Sequence, residues 1–304
     1  MKKRLFVTGL SGFVGQHIQS RLLADSAQWE LLTVPARYDL ADPQSLEGLW
    51  PELPDAVIHL AGQTFVPEAF RDPARTLNIN LLGTLNLLQA LKARGFTGTV
   101  LYVSSGDVYG QVSEEHLPIT ELQPPCPRNP YAVSKLSAEF LSLQWGLSEG
   151  WPVLVARPFN HIGTGQKENF VIASAARQIN RIKQGLQAPQ LEVGDIDVTR
   201  DFLDVSDVIS AYLALLEKGT PGQVYNVCSG REQSIRSLIE QLGDLAQVDL
   251  QLVQDPARMR RADQRRVCGS HARLAQTTGW APQITTQQTL RATLSDWEIR
   301  VRQE

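Results

Sequence analysis

Tyr131 and Lys135 stand four apart in Tyr131-Ala132-Val133-Ser134-Lys135, just after Pro130. On a helix, positions i and i+4 share a face, so a phenol and an ammonium can point together. A neighbouring ammonium favours phenolate, so the pair is expected to lower the tyrosine pKa and to act as an acid/base. A second hydroxyl would then hydrogen-bond the substrate oxygen, and Ser104 and Ser105 are the candidates. Near the N-terminus, Thr8–Gly15 reads TGLSGFVG, with glycines at 9, 12 and 15. Such a loop makes a tight turn, lets backbone approach a pyrophosphate and bares a helix N-terminus that attracts it. Alone, each pattern also describes a helix start or a capping loop. Their order along one chain points to a dinucleotide and a proton transfer.

These residues need elements to hold them. Leu5–Thr8 is a short apolar, β-branched run, the pattern of a buried parallel strand. The glycines follow it, and helical spacing resumes over Val14–Leu23. Further strands are expected at Leu31–Val34, Ala56–Leu60, Thr99–Ser104 and Pro152–Ala156, with long helices at Thr76–Arg94 and Pro130–Trp145. Strands alternating with helices predict an α/β fold, a Rossmann-type doubly wound parallel sheet. Ser104 and Ser105 then sit at the C-terminal edge of a strand, where open α/β sheets bind their ligands.

After about residue 160 the alternation loosens. Helices are expected at Phe170–Gly185, Asp207–Lys218, Ser234–Leu245 and about Thr286–Val301, with a strand at Gln223–Cys228. This divides the chain into a dinucleotide-binding core, residues 1–160, and a smaller C-terminal α/β substrate lobe, residues 161–304. Segments around 200–230 return to the core. Pro118–Pro130 reads as a loop within the fold, not a linker.

Composition narrows the classes. The 304 residues are 42% hydrophobic and 20% charged, with a formal net charge of -3, enough for a sizeable core and an ordinary globular balance. Basic residues are dispersed, apart from Arg258–Arg266, which argues against a nucleic-acid surface. No apolar run approaches the roughly 20 residues that span a bilayer. The basic start MKKR is followed by too short an apolar run for a signal peptide, so a cytoplasmic protein is expected. Cys126, Cys228 and Cys268 are far apart and form no CxxC or Cys/His cluster, which predicts free thiols and no metal. An acidic residue at the end of the second strand would grip the adenine ribose of NAD, but the chain there reads Val34-Pro35-Ala36-Arg37. Arg37 could pair a 2′-phosphate, so NADP(H) is the expected cofactor, with NAD(H) left open.

TGLSGFVG, His59-Leu60-Ala61-Gly62, NINLLGT at 78–84, VSSGDVYG at 103–110 and YAVSK at 131–135 together resemble the extended short-chain dehydrogenase/reductase family, over nearly the whole chain. The resemblance implies Ser105, five residues before the glycine of the YG pair, as the catalytic hydroxyl. It implies Tyr131 as acid/base and Lys135 as its modulator and ribose contact. Gly9, Ser11, Gly12, Phe13, Val14 and Gly15 would hold the pyrophosphate, with Leu60, Ala61 and Gly62 beside it and Asp39 and Leu40 at the adenine. Asn80 would be structural. Arg157-Pro158-Phe159-Asn160-His161-Ile162-Gly163 resembles the family's RxxNxxG segment, with Asn160 meeting a nucleotide sugar and His161 packed or at the surface. Asn169 and Phe170 resemble the segment lining its phosphate and base. Arg200 belongs to an RDF element, and Arg261 and Asp263 resemble an RPxD/E element in which Ala262 replaces the proline.

Within that family the chain resembles, as a whole, the branch that reduces the 4-keto group of a GDP-linked 6-deoxy-4-keto hexose to give GDP-D-rhamnose. Dehydratases of the family carry a glutamate two residues after the catalytic hydroxyl, and here that place holds Asp107, one methylene shorter. A dehydratase, a 4-epimerase that keeps its NAD, and a non-catalytic NADP-sensing protein are the alternatives. The resemblance also implies a homodimer, with the two long helices of each copy forming a four-helix bundle.

Overall fold

The structure, a computed structural model, describes residues 2–24, 28–34, 37–255 and 264–304. The first half runs β1 (Lys3–Thr8), α1 (Phe13–Ala24), β2 (Trp29–Leu31), β3 (Ala56–His59), α2 (Val66–Arg71), α3 (Pro73–Leu77), α4 (Gly83–Ala93), β4 (Thr99–Val103) and α5 (Pro130–Glu149). The second runs β5 (Val153–Pro158), β6 (Asn160–Ile162), α6 (Val171–Lys183), β7 (Gln190–Val193), β8 (Thr199–Asp204) and α7 (Val205–Lys218). It continues with β9 (Val224–Val227), β10 (Glu232–Ser234), α8 (Ile235–Ala246), β11 (Gln251–Gln254), α9 (Ala272–Thr278) and α10 (Thr286–Val301).

Six strands make one parallel sheet in the order β2-β1-β3-β4-β5-β9. Its strands read as continuous apolar runs because both faces are covered. Leu5, Val7, Ala56, Ile58, Leu101 and Leu154 pack on one face against Ile18 and Leu22 of α1 and Val208 and Tyr212 of α7. The residues between them, Phe6, Val57, Val100 and Val153, face the other way, toward Leu87, Leu88 and Leu91 of α4. The order reverses between β1 and β3, so a crevice opens at their carboxyl ends.

A second core lies among α6, α8 and α10, around Ile172, Ile179, Leu238, Leu242, Leu290 and Trp297. Beside it stand the three-stranded sheet β10-β8-β6 and the pair β11-β7. These strands are three to six residues long, too short for a period-2 pattern to stand out, and they escape the sequence reading.

Two expected elements differ. The second strand is Trp29–Leu31, not Leu31–Val34, because pairing with β1 runs only from Lys3↔Trp29 to Leu5↔Leu31. The expected helix Thr76–Arg94 is broken: α3 ends at Leu77, a π-helical turn spans Asn78–Leu82, and α4 begins at Gly83. The turn carries Asn80, whose side chain is held by a loop 17 residues earlier. A contact that remote leaves no trace in local periodicity.

Asp201, on β8, ties together three segments of the second half that are distant in sequence. Its buried carboxylate accepts Ser229 N at 2.7 Å, Ser229 Oγ at 2.6 Å, Gly230 N at 3.0 Å and Gly269 N at 3.1 Å. Removing it strands three backbone donors, and each unsatisfied buried group costs about 1–3 kcal/mol. Asp201→Ala should therefore lower stability to urea by about 3 kcal/mol or more; a loss under about 1 kcal/mol would contradict the staple.

Candidate active site

The crevice between β1 and β3 is built from backbone in close contact. Gly9 has a φ of +76°, and a Cβ on it would lie 3.0 Å from Ala61 N. A Cβ on Gly15 would lie 2.3 Å from the Gly9 carbonyl oxygen and 2.5 Å from Leu10 Cα. Gly12 N donates to Gly9 O at 2.9 Å, closing the turn. The first turn of α1 holds no acidic residue, so its N–H groups and dipole are open to an anion. Ser11, Phe13 and Val14 complete that rim. A loop that only a bare backbone fits, ending at a helix N-terminus, suits the pyrophosphate of a dinucleotide. Leu60, Ala61 and Gly62 continue from β3 along the same crevice. Asp39 is exposed, with its carboxylate accepting Ala41 N at 2.9 Å. Leu40 is buried, and Arg37 is exposed at the open end.

Behind the crevice runs a chain of buried hydrogen bonds. Thr8 Oγ1 accepts Leu60 N and Ala61 N and lies 2.7 Å from His59 Nδ1. Thr84 Oγ1 donates to Asn80 O at 2.6 Å and lies 2.9 Å from His59 Nε2. Both lone pairs of Thr8 are committed, so its proton goes to Nδ1, and His59 is the neutral Nε2–H tautomer. Burial drives the His59 pKa down to about 3, aided by the positive charge of Lys135. The Asn80 amide bonds both backbone groups of Gln63, at 2.7 and 2.9 Å, and donates to Ser134 Oγ at 2.8 Å. Ser134 in turn donates to Tyr131 O at 2.7 Å.

Tyr131 is hydrogen-bonded with the Ser105 side chain, and Lys135 stands one helical turn beyond it on α5. Asn129 caps α5, its side chain accepting Ala132 N at 2.7 Å, and Pro130 fills the first helical position. This sets Tyr131 in the first turn with Lys135 one turn on. The ammonium of Lys135 is 4.6 Å from the centroid of the Tyr102 ring on β4. Burial lowers the Lys135 pKa to about 7, against the pull of the Glu139 carboxylate. The expected lowering of the Tyr131 pKa is not found. Burial pushes it up to about 12, opposed by a hydrogen bond with the Ser105 side chain and reinforced by the negative charge of Asp107. Desolvation of the phenol outweighs its neighbours, so Tyr131 holds a proton at neutral pH and is poised to give one.

Ser105 Oγ accepts Asp107 N at 3.1 Å, and Asp107 Oδ2 takes a 3.4 Å bond from Asn129 Nδ2. The Asp107 charge acts on both Tyr131 and Arg200. Arg200 donates a 2.7 Å bond to Thr199 O and is half-buried. Asn160 is exposed at the head of β6, and Asn169 and Phe170 are exposed just before α6. His161 is stacked on Phe13, centroids 6.0 Å apart, and bonded to Phe159 O. Arg261 and Asp263 lie outside the described residues. Among the described residues no group of three or more His, Cys, Asp and Glu could hold a metal, and no helix is long and apolar enough to cross a membrane.

Sequence reading passed over Thr8 and Glu139. Glu139 sits one turn beyond Lys135, and helical spacing from the YxxxK pair was signal enough to find it.

A family model described as GDP-mannose 4,6 dehydratase matches residues 34–293. The chain is 75% identical to GDP-6-deoxy-D-mannose reductase of Pseudomonas aeruginosa, over 100% of both chains. Among solved structures it is similar to RMD from Pseudomonas aeruginosa complexed with NADPH, at a TM-score of 0.96 and 74% identity, covering 98% of this chain and 100% of that one. It is also similar to Thermus thermophilus UDP-glucose 4-epimerase in complex with NAD, at a TM-score of 0.83 and 29% identity, covering 97% and 98%. With its cradle, its Ser105-Tyr131-Lys135 cluster and these relatives, the chain belongs to the GDP-mannose 4,6-dehydratase family of extended short-chain dehydrogenases/reductases.

Proposed function

We propose that this protein reduces the 4-keto group of GDP-6-deoxy-4-keto-D-mannose with NADPH, giving GDP-6-deoxy-D-mannose, also called GDP-D-rhamnose. The observation that carries the reading is 75% identity, end to end, with a reductase that bears the product's name. The NADPH-bound relative supports the cofactor, and the exposed Arg37 offers a cation to a 2′-phosphate. NAD(H) is the second option, since other relatives hold NAD.

The cradle at Gly9–Gly15 with Leu60–Gly62 would hold the pyrophosphate, Asp39 and Leu40 the adenine end, and Lys135 the nicotinamide ribose. When bound, the nicotinamide supplies the hydride that makes the carbonyl a carbinol. Tyr131 gives its proton to the oxygen as negative charge grows there, and Ser105 hydrogen-bonds the same oxygen. The Lys135 ammonium offsets the charge left on the phenol. Residues 1–160 serve the cofactor. Residues 161–304 serve the sugar nucleotide, with Arg200 toward the diphosphate and Asn160, Asn169, Phe170, Arg261 and Asp263 around it. Asp107 reaches the cleft as a substrate contact; as an acid for dehydration it is a methylene short.

We also propose a homodimer through a four-helix bundle. On α5, Val133, Phe140 and Leu147 recur every seven residues and are 41%, 56% and 88% exposed. A heptad-spaced apolar stripe beside an exposed Leu82 at the head of α4 suits packing of one copy's helix pair on another's. Phe140→Glu should convert the protein to monomers in sedimentation velocity; a wild type that sediments as a monomer refutes the dimer.

Mixed with NADPH and the 4-keto sugar nucleotide, the protein should consume nicotinamide absorbance one for one with product. With GDP-mannose and NADP⁺ it should do little. Tyr131→Phe should cut turnover by about 10²–10⁴, and Asp107→Ala by far less. Efficient dehydration of GDP-mannose, abolished by Asp107→Ala, would make the protein a dehydratase instead.

The pH profile follows from the same groups. Reduction uses a protonated Tyr131 beside a cationic Lys135, and these keep their protons to about 12 and about 7. Turnover should therefore fall as pH rises through neutrality. A rate that keeps climbing well into the alkaline range would rule out a cationic Lys135 in the rate-limiting step.

A further inference from the structure

Tyr131, Lys135 and Glu139 fall at i, i+4 and i+8 of α5 and so lie along one face. Glu139 is fully buried and meets Arg157 of β5 through two bonds, Nε to Oε2 at 3.1 Å and Nη2 to Oε1 at 2.6 Å. The guanidinium lies 4.8 Å from the centroid of the Tyr109 ring. The Tyr109 hydroxyl donates to Asn226 Oδ1 at 2.7 Å, and Asn226 Nδ2 donates to Ile119 O at 3.0 Å. Carboxylate, guanidinium and ring are thus locked in place by three separate segments. As a stabilising device such a pair is poor, because matched apolar side chains serve a core as well or better. Its place, one helical turn beyond the candidate acid/base pair, gives it a different use.

We infer that Glu139, clamped by Arg157, is a positioning residue that keeps the side chain of Lys135 cationic and in place beside Tyr131. The groups facing Lys135 are few. On α5 they are Tyr131 and Glu139. Tyr102 presents its ring from β4. His59, from β3, is neutral by its hydrogen bonds and contributes no charge. Arg157 and Tyr109 act through Glu139, while Asp107 acts on Tyr131. Burial works against the ammonium, and Glu139 is the carboxylate that works for it. Arg157 has two duties. It holds the carboxylate by its fork, and it pairs a buried carboxylate that would otherwise stand alone in the core.

This inference rests on reading Tyr131 and Lys135 as the acid/base pair, and the test separates the two. The rate of NADPH-dependent reduction is followed across the neutral and alkaline range in wild type, Glu139→Gln, Glu139→Asp and the double variant Glu139→Gln/Arg157→Met. Glu139→Gln should move the alkaline limb down by about one pH unit or more. Glu139→Asp, which restores the charge, should bring it back toward wild type. The double variant leaves no stranded guanidinium and keeps the fold if the single change does not; its limb should stay below wild type. A limb that does not move in either Gln-bearing variant, whatever happens to melting temperature or maximal rate, overturns the inference. Lys135→Met separates the failures: normal turnover there refutes the acid/base reading itself, whereas a dead Lys135→Met with an unmoved Glu139→Gln limb refutes only the role of Glu139.

Discussion

The hydroxyl of Thr8 accepts two backbone N–H groups and so has one proton left, which it must give to His59. That single commitment orders the rest. It fixes the tautomer of a fully buried imidazole, which turns its one N–H to Thr84, which turns its proton to the Asn80 carbonyl. The Asn80 side chain then bridges Gln63 and Ser134, and Ser134 reaches the carbonyl of Tyr131. A connected network of donors and acceptors thus runs from the end of β1, where a pyrophosphate would sit, to the first turn of the helix bearing the phenol. The distance between cofactor cradle and proton donor is set by buried bonds, each of which is costly to leave unmade. The π-helical turn at Asn78–Leu82 is where this geometry overrides helical regularity.

Charge in the site is handled by burial as much as by pairing. Tyr131 and Lys135 are both driven toward their neutral forms, the phenol upward and the ammonium downward. For a reductase this is a useful arrangement: the donor keeps its proton until the substrate oxygen needs it. A negative charge acts on each group, Asp107 against ionisation of the phenol and Glu139 in favour of the ammonium. The first is exposed, and the second is sealed in the core.

What the sequence reveals divides by range. The glycine loop, the YxxxK pair and the strand-end Ser105 are local patterns whose chemistry follows from spacing, and they converge in space. The parallel sheet is legible because strands covered on both faces are apolar throughout. The second strand is misplaced by two residues at its start, because which of its residues pair is decided by β1. The break in Thr76–Arg94 depends on Gln63, and the Asp201 staple depends on residues 28 and 68 positions away. The pKa of Tyr131 runs opposite to expectation, since a neighbour four residues off is visible in sequence but desolvation by the surrounding fold is not.

The path of the chain between its two cores has a further consequence. After β5 the polypeptide leaves the large sheet, returns as α7 and β9, leaves again for β10, α8 and β11, comes back as α9 beside Trp280, and leaves once more as α10. No single cut separates one core from the other. A second core wired this way is not a cassette: it cannot be exchanged between relatives by recombination at one or two crossovers. Change on this scaffold must arise by drift of individual side chains, because the segments that build the second core also run through the first.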